Sequence, residues 1–150
     1  MSRPRILLAD DHTIVAEGLK SLLEPEFELV GVVEDGRALL EAAKRLQPDL
    51  ILTDLTMPNL NGIEALGRLH EAHPLIPVVV LTMHRDVAYA RRALALGAAG
   101  YVLKHDAPGE LVRAIKTALA GRTFVTPELE SDLLQASGRD PGRRSDTVAQ

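Results

Sequence analysis

Two adjacent aspartates, Asp10 and Asp11, close a short apolar run, Ile6-Leu7-Leu8-Ala9, and a third, Asp54, follows another, Leu50-Ile51-Leu52. Parallel strands of an open α/β sheet deliver their C-terminal residues to one shared edge, where ligands bind. Three carboxylates gathered there form a hard-oxygen set suited to Mg²⁺. Thr82 and Lys104 stand at the ends of two further apolar runs and add a hydroxyl and an ammonium. A carboxylate can act as a nucleophile and carry a phosphoryl group as an acyl phosphate. That attack brings two anions together, so the site must cancel charge. Asp10 and Asp11 would hold the metal, which bridges Asp54 and the phosphoryl oxygens. Lys104 would pair with one of those oxygens as a flexible point charge, and Thr82 would donate a hydrogen bond to another. Each residue alone has a plainer reading: Asp11 could cap a helix opening at His12 or Thr13, Thr82 could be a satisfied strand-end hydroxyl, and Lys104 could be solvated. Their occurrence at four separate strand ends favours the combined reading.

The elements that must position these residues alternate along the chain. Nearly all-apolar runs at 5–9, 29–33, 50–53, 78–81 and 101–103 read as strands, several of them apolar on both faces, as central parallel strands covered by helices are. Segments of helical period lie between and after them, at 13–23, 36–46, 62–71, 86–96 and 108–120. Leu111, Ile115 and Leu119 recur at i, i+4 and i+8 and give the last of these a core-facing stripe. Asp106 is placed to cap it, Pro108 falls in its first turn and Gly121 sits where it should stop. A further helix is expected to open at Thr126-Pro127-Glu128, a cap followed by proline at the first helical position, and to run to about Ser137. Residues 138–150 contain no Leu, Ile or Phe, and that composition reads as a disordered linker.

Bulk composition narrows the alternatives. The chain has 150 residues, one domain's worth, with 46% hydrophobic but only 3% aromatic residues, so the core must be built from Leu, Val, Ile and Ala. A net charge of −4 supplies no electrostatic footprint for nucleic acid. Without cysteine there are neither disulfides nor thiolate metal sites. No signal peptide is visible, and no apolar stretch approaches the ~18 residues of a membrane span. A cytoplasmic protein with no membrane association is the expectation.

Asp10-Asp11, then Asp54-Leu55-Thr56-Met57-Pro58 with Gly62, then Thr82, then Lys104, closely resembles the receiver domain of bacterial response regulators. The segment from Asp54 to Gly62 follows that family's D-x-x-M-P-x-x-x-G pattern in full, and Gly97-Ala98-Ala99-Gly100-Tyr101 is similar to its run into the last strand. The resemblance spans residues 4 to about 121, and the Thr126-Pro127-Glu128-Leu129 segment looks like the NarL/FixJ (LuxR-type) subgroup of transcriptional regulators.

The resemblance implies a flavodoxin-like doubly wound (βα)5 fold, strand order 2-1-3-4-5, with a short extra C-terminal helix. It divides the chain into a receiver at 1–121, an extension helix at 122–137 and an interdomain linker at 138–150. By its implication Asp54 is the phosphoacceptor. Asp10, Asp11, Asp54 and the backbone carbonyl of Thr56 are the Mg²⁺ ligands, and Thr82 and Lys104 contact the phosphoryl group. Tyr101 is the aromatic that turns inward when Thr82 moves toward phosphate, while Thr56 and His84 occupy places that modulate phosphoryl lifetime. The implied partners are a sensor histidine kinase, a second copy on phosphorylation, and DNA through a helix-turn-helix domain not present in this chain. Such a protein supports its own phosphotransfer and autodephosphorylation and is not a turnover enzyme. His105 departs from the proline that many receivers carry after the lysine, so a different path is expected there. A stand-alone receiver acting by protein contact is the alternative. A metal-dependent phosphohydrolase is less suited, because Asp10-Asp11-His12 lacks the D-x-D spacing and no cap insertion is visible.

Overall fold

A computed structural model describes residues 3–55, 62–83 and 85–138. Within them the chain runs β1 (Arg5–Ala9), α1 (Thr13–Leu23), β2 (Glu28–Val33), α2 (Gly36–Leu46), β3 (Leu50–Thr53), α3 (Gly62–Ala72), β4 (Val78–Thr82), α4 (Val87–Ala95) and β5 (Gly100–Leu103). A 3₁₀ turn, Lys104–Asp106, then leads into α5 (Ala107–Leu119), β6 (Phe124–Val125) and α6 (Pro127–Gly138). The strands form one parallel sheet in the order β2-β1-β3-β4-β5-β6. The expected doubly wound order is therefore present, extended by a sixth strand.

Successive strand residues point to opposite faces, and both faces are covered. Ile6, Leu8, Leu50, Leu52, Val79, Leu81 and Val102 pack against Ala16, Leu19 and Leu23 of α1 and Leu111, Ala114, Ile115 and Ala118 of α5. Leu7, Ala9, Ile51, Val78, Val80 and Tyr101 pack on the other face against α2, α3, α4 and Leu129 of α6. A fully buried Leu or Ile contributes about 1.5–3 kcal/mol, so packing on both faces anchors the strands that carry the site residues. The stripe on α5 behaves as its spacing dictates: Leu111 and Ile115 are fully buried, with Leu119 at the margin.

Local chemistry sets several boundaries. Asp35 caps α2 by accepting the Ala38 N–H at 2.8 Å, and Asp86 caps α4 by accepting the Ala88 N–H at 2.8 Å. Asp86 is thus the cap of α4 rather than its first helical residue. His12, not Asp11, is the N-cap residue of α1. Asp106 stands at the cap position of α5 without a side-chain cap hydrogen bond. Gly121, at φ 82°, turns the chain after α5 back toward the sheet. β6 follows and closes the edge of β5, with Phe124 N–H bonded to Ala99 O and Thr126 N–H to Tyr101 O, each at 3.0 Å.

Candidate functional site

The sheet ladder runs on into the acidic residues themselves. Asp10 N–H donates to Val33 O at 2.9 Å and Asp54 N–H to Ala9 O at 3.0 Å. β1 and β3 are neighbours, with Ala9 opposite Thr53, so Asp10 and Asp54 emerge side by side. Thr82 ends β4, the next strand, and Lys104 follows β5, the one after. At about 4.8 Å per strand, Lys104 begins roughly 10 Å from the line of β3. A long unbranched side chain is needed to cover that distance. Its ammonium lies 2.8 Å from Asp54 Oδ2 and 3.0 Å from Asp10 Oδ2.

This cluster is largely withdrawn from water. The side chains of Lys104, Asp54 and Asp10 are 7%, 4% and 1% exposed, and Thr82 is fully buried. Burial alone would lower the pKa of Lys104. The hydrogen bond to Asp54 and the charge of Asp10 outweigh it and hold the ammonium above the usual lysine value. Lys104 is therefore charged at physiological pH.

One ammonium faces three carboxylates. Asp10, Asp11, Asp54 and His12 each offer a ligand atom, and all four atoms lie within 4.8 Å of one another. Asp10 Oδ2 and Asp11 Oδ1 are buried, the first beside the Lys104 ammonium at 3.0 Å and the second beside the His12 ring at 3.2 Å. Anionic oxygens in that condition fit a hard divalent cation. His12 was not among the residues singled out from the sequence, although its place directly after the acidic pair was a signal. Its backbone N–H donates to Asp10 Oδ1 at 2.8 Å, and its Nδ1 stands 3.1 Å from that oxygen and 3.2 Å from Asp11 Oδ1.

Thr56 and His84 lie outside the described residues. Gly62 packs closely against the residue that follows Asp54. A Cβ on Gly62 would lie 2.1 Å from Leu55 O and 2.5 Å from Leu55 Cα, so the first turn of α3 rests directly on the residue after Asp54. Beyond Lys104 the backbone enters the 3₁₀ turn with His105 exposed.

The response regulator receiver domain pattern matches residues 6–116. The chain belongs to that family. The receiver is 38% identical over 133 residues to the transcriptional regulatory protein DegU of Brevibacillus brevis, which covers 87% of this chain and 56% of that protein. It is 35% identical over 131 residues to the response regulator GacA of Pseudomonas viridiflava, covering 86% and 61%. The receiver thus spans little more than half the length of these relatives. Among solved structures it is similar to a LuxR-family two-component response regulator from Aurantimonas sp. SI85-9A1, with a TM-score of 0.86 at 36% identity, covering 90% of this chain and 98% of that one. The isolated receiver domain of RcsB from Salmonella enterica serovar Typhimurium, solved with the phosphomimetic BeF₃⁻, aligns with a TM-score of 0.81 at 30% identity, covering 87% and 98%. RcsB has also been solved as dimers bound to DNA; that structure aligns with a TM-score of 0.82 at 30% identity, covering 89% of this chain and 69% of the RcsB chain. No helix among the described residues of the receiver is long and apolar enough to cross a membrane.

Tyr101 of the receiver is fully buried on the sheet face shared with α4 and α6. Burial, then the charge of Asp86, the Tyr89 phenol and Asp54, push its pKa up to about 12 from 10.0. A raised pKa means that the folded chain keeps the phenolic proton after the unfolded chain has lost it. The Tyr101 contribution to stability is therefore fully present below pH 10 and is lost as pH rises through 12. The shift of about two units corresponds to roughly 2–3 kcal/mol. Urea unfolding of wild type and Tyr101→Phe across this range should show the wild type losing that much more than the variant; parallel curves would place the phenol in contact with water.

Proposed function

We propose that this receiver accepts a phosphoryl group on Asp54 from a sensor histidine kinase, with Mg²⁺, and that the modified form controls transcription. Lys104, bridging the Asp10 and Asp54 carboxylates across β4, is the observation that carries the reading. An Asp54 carboxylate oxygen attacks phosphorus, the bond from phosphorus to the donor imidazole breaks, and the imidazole leaves with the electron pair. Mg²⁺, when bound, neutralises charge on the transferring group. Asp10, Asp11, Asp54 and the Thr56 carbonyl are the proposed ligands. Lys104 gives up its hold on the Asp54 oxygen and pairs with a phosphoryl oxygen instead. Thr82 donates its hydroxyl to another, and Tyr101 adjusts in the space beside it. Thr56 and His84 are proposed to tune how long the acyl phosphate survives before water releases phosphate.

Residues 1–121 form the proposed phosphoacceptor unit, 122–137 an extension and 138–150 a linker. Transcriptional output is supported by the relatives, which include a transcriptional regulatory protein, and a homodimer by the RcsB dimers on DNA; that phosphorylation promotes it is part of the proposal. A cytoplasmic location accords with a kinase donor. The test is intact mass after incubation with Mg²⁺ and acetyl phosphate. Wild type should gain a single phosphoryl adduct that is absent from Asp54→Asn. An adduct on both proteins, or on neither, would remove Asp54 from the role.

A further inference from the structure

Two nitrogen-bearing side chains flank Asp10, one on each of its carboxylate oxygens. Lys104 approaches Oδ2 at 3.0 Å from the buried side, its side chain 7% exposed, while His12 meets Oδ1 from the side open to solvent, its side chain 57% exposed. The His12 ring is not engaged in holding the helix. His12 is the N-cap residue of α1, yet its side chain makes no cap hydrogen bond. Its backbone N–H donates to Asp10 Oδ1 at 2.8 Å. The ring turns to the acids, with Nδ1 3.1 Å from Asp10 Oδ1 and 3.2 Å from Asp11 Oδ1. A ring nitrogen carries at most one proton, and one proton cannot point at both oxygens. A metal ion can serve all three atoms together. Two ligand atoms at right angles on one ion, each about 2.1 Å from it, are about 3.0 Å apart, close to both spacings.

We propose that His12 is a further ligand at this site, one used by borderline divalent ions such as Co²⁺, Ni²⁺ and Zn²⁺ and not by Mg²⁺. The inference rests on the metal site of the reading above but does not require phosphoryl transfer. Mg²⁺ takes oxygen ligands and keeps several waters, so the carboxylates serve it without the ring. Imidazole suits the borderline ions. Nδ1 becomes a ligand when the ring proton resides on Nε2, and the exposed ring leaves that nitrogen room in solvent. The ligand atoms of Asp10, Asp11, His12 and Asp54 all lie within 4.8 Å of one another. Ligands on opposite sides of one ion are about 4.2 Å apart, so a small side-chain shift closes the set. Lys104 stays in place, because it holds Asp10 by the other oxygen. A borderline ion therefore competes with Mg²⁺ at far lower concentration, and occupancy of the site depends on which metal is supplied.

Titration calorimetry of the full chain with Co²⁺ and, separately, with Mg²⁺ tests this. Wild type should bind Co²⁺ more tightly than Mg²⁺, and His12→Ala should lose about tenfold or more of that preference. His12→Gln, which keeps a hydrogen-bonding side chain but no imidazole, should lose it equally. The visible absorption of bound Co²⁺ should shift in both variants as an oxygen ligand replaces the nitrogen. An exchangeable ring N–H resonance displaced by Co²⁺ should be present in the NMR spectrum of wild type and absent from both. Equal weakening of the two ions in the variants would mean that His12 only positions the acids. Equal tightening would mean that it acts as a competing cation. Either result overturns the proposal. Mg²⁺ binding by wild type with no preference for Co²⁺ also overturns it, while leaving the phosphoacceptor reading intact. If wild type binds neither ion, the metal site of that reading falls as well.

Discussion

Lys104→Met should lower stability by about 3 kcal/mol at neutral pH in the presence of a chelator, as measured by urea unfolding. Methionine matches the length and apolar stem of lysine, so packing changes little. What disappears is the ammonium between the Asp10 and Asp54 carboxylates, whose side chains are 1% and 4% exposed. A buried charge left without its partner loses 3–5 kcal/mol in typical cases, far more than the ~1 kcal/mol of a surface pair. We take the lower end because Asp11 and His12 lie toward solvent and let water approach one side of the cluster. Two conditions should reverse the loss. Millimolar Mg²⁺ supplies replacement charge, and Lys104→Met/Asp54→Asn removes one of the two facing carboxylates. A loss below ~1 kcal/mol that ignores Mg²⁺ would mean that water already solvates these acids.

Gly62→Ala carries the second large effect, and its sign opposes helix propensity. Alanine ordinarily stabilises a helical position by about 1 kcal/mol over glycine. Here the new Cβ would meet Leu55 O at 2.1 Å, Leu55 Cα at 2.5 Å and Leu55 C at 2.6 Å. All three are backbone atoms and cannot rotate away, so α3 or the chain after Asp54 must shift, at a net cost of about 3 kcal/mol. Gly18→Ala in α1 is the internal control. Nothing lies within 4 Å of its added Cβ, and it should stabilise by up to about 1 kcal/mol. Thermal or urea unfolding of the two variants should therefore move in opposite directions. Because Leu55 adjoins Asp54, Gly62→Ala should also slow formation of the phosphoryl adduct; a variant with wild-type stability and uptake would show that the contact relaxes freely.

These two residues differ in how far the sequence announces them. Gly62 was visible as the last position of D-x-x-M-P-x-x-x-G, yet its reason, contact with Leu55, is a tertiary fact. Lys104 was visible as a cation at a strand end, but its reach to both Asp10 and Asp54 depends on the order in which the strands lie. The short β6 escaped the sequence reading because Phe124–Val125 is too brief to show alternation. It exists because the edge of β5 supplies hydrogen-bond partners for it. Thr126 was expected as a helix cap. The helix does begin at Pro127, but the Thr126 hydroxyl accepts the Leu103 N–H 23 residues away. His12 follows the acidic pair directly, but only the turn of the chain brings its ring to 3.1 Å from Asp10 and 3.2 Å from Asp11.

Sequence alone determined the alternation of strands and helices, the placement of acids, hydroxyl and ammonium at strand ends, and the family that this order marks. Those properties are written in short-range periodicity and composition, which act within a few residues. Only the tertiary structure decided that one lysine would bridge two buried carboxylates, that a sixth strand would close the sheet, and that Arg85 would meet Asp132 across 47 residues. Such contacts depend on where whole elements pack, and a pair of polar residues far apart in the chain leaves no local trace of the partner it will find.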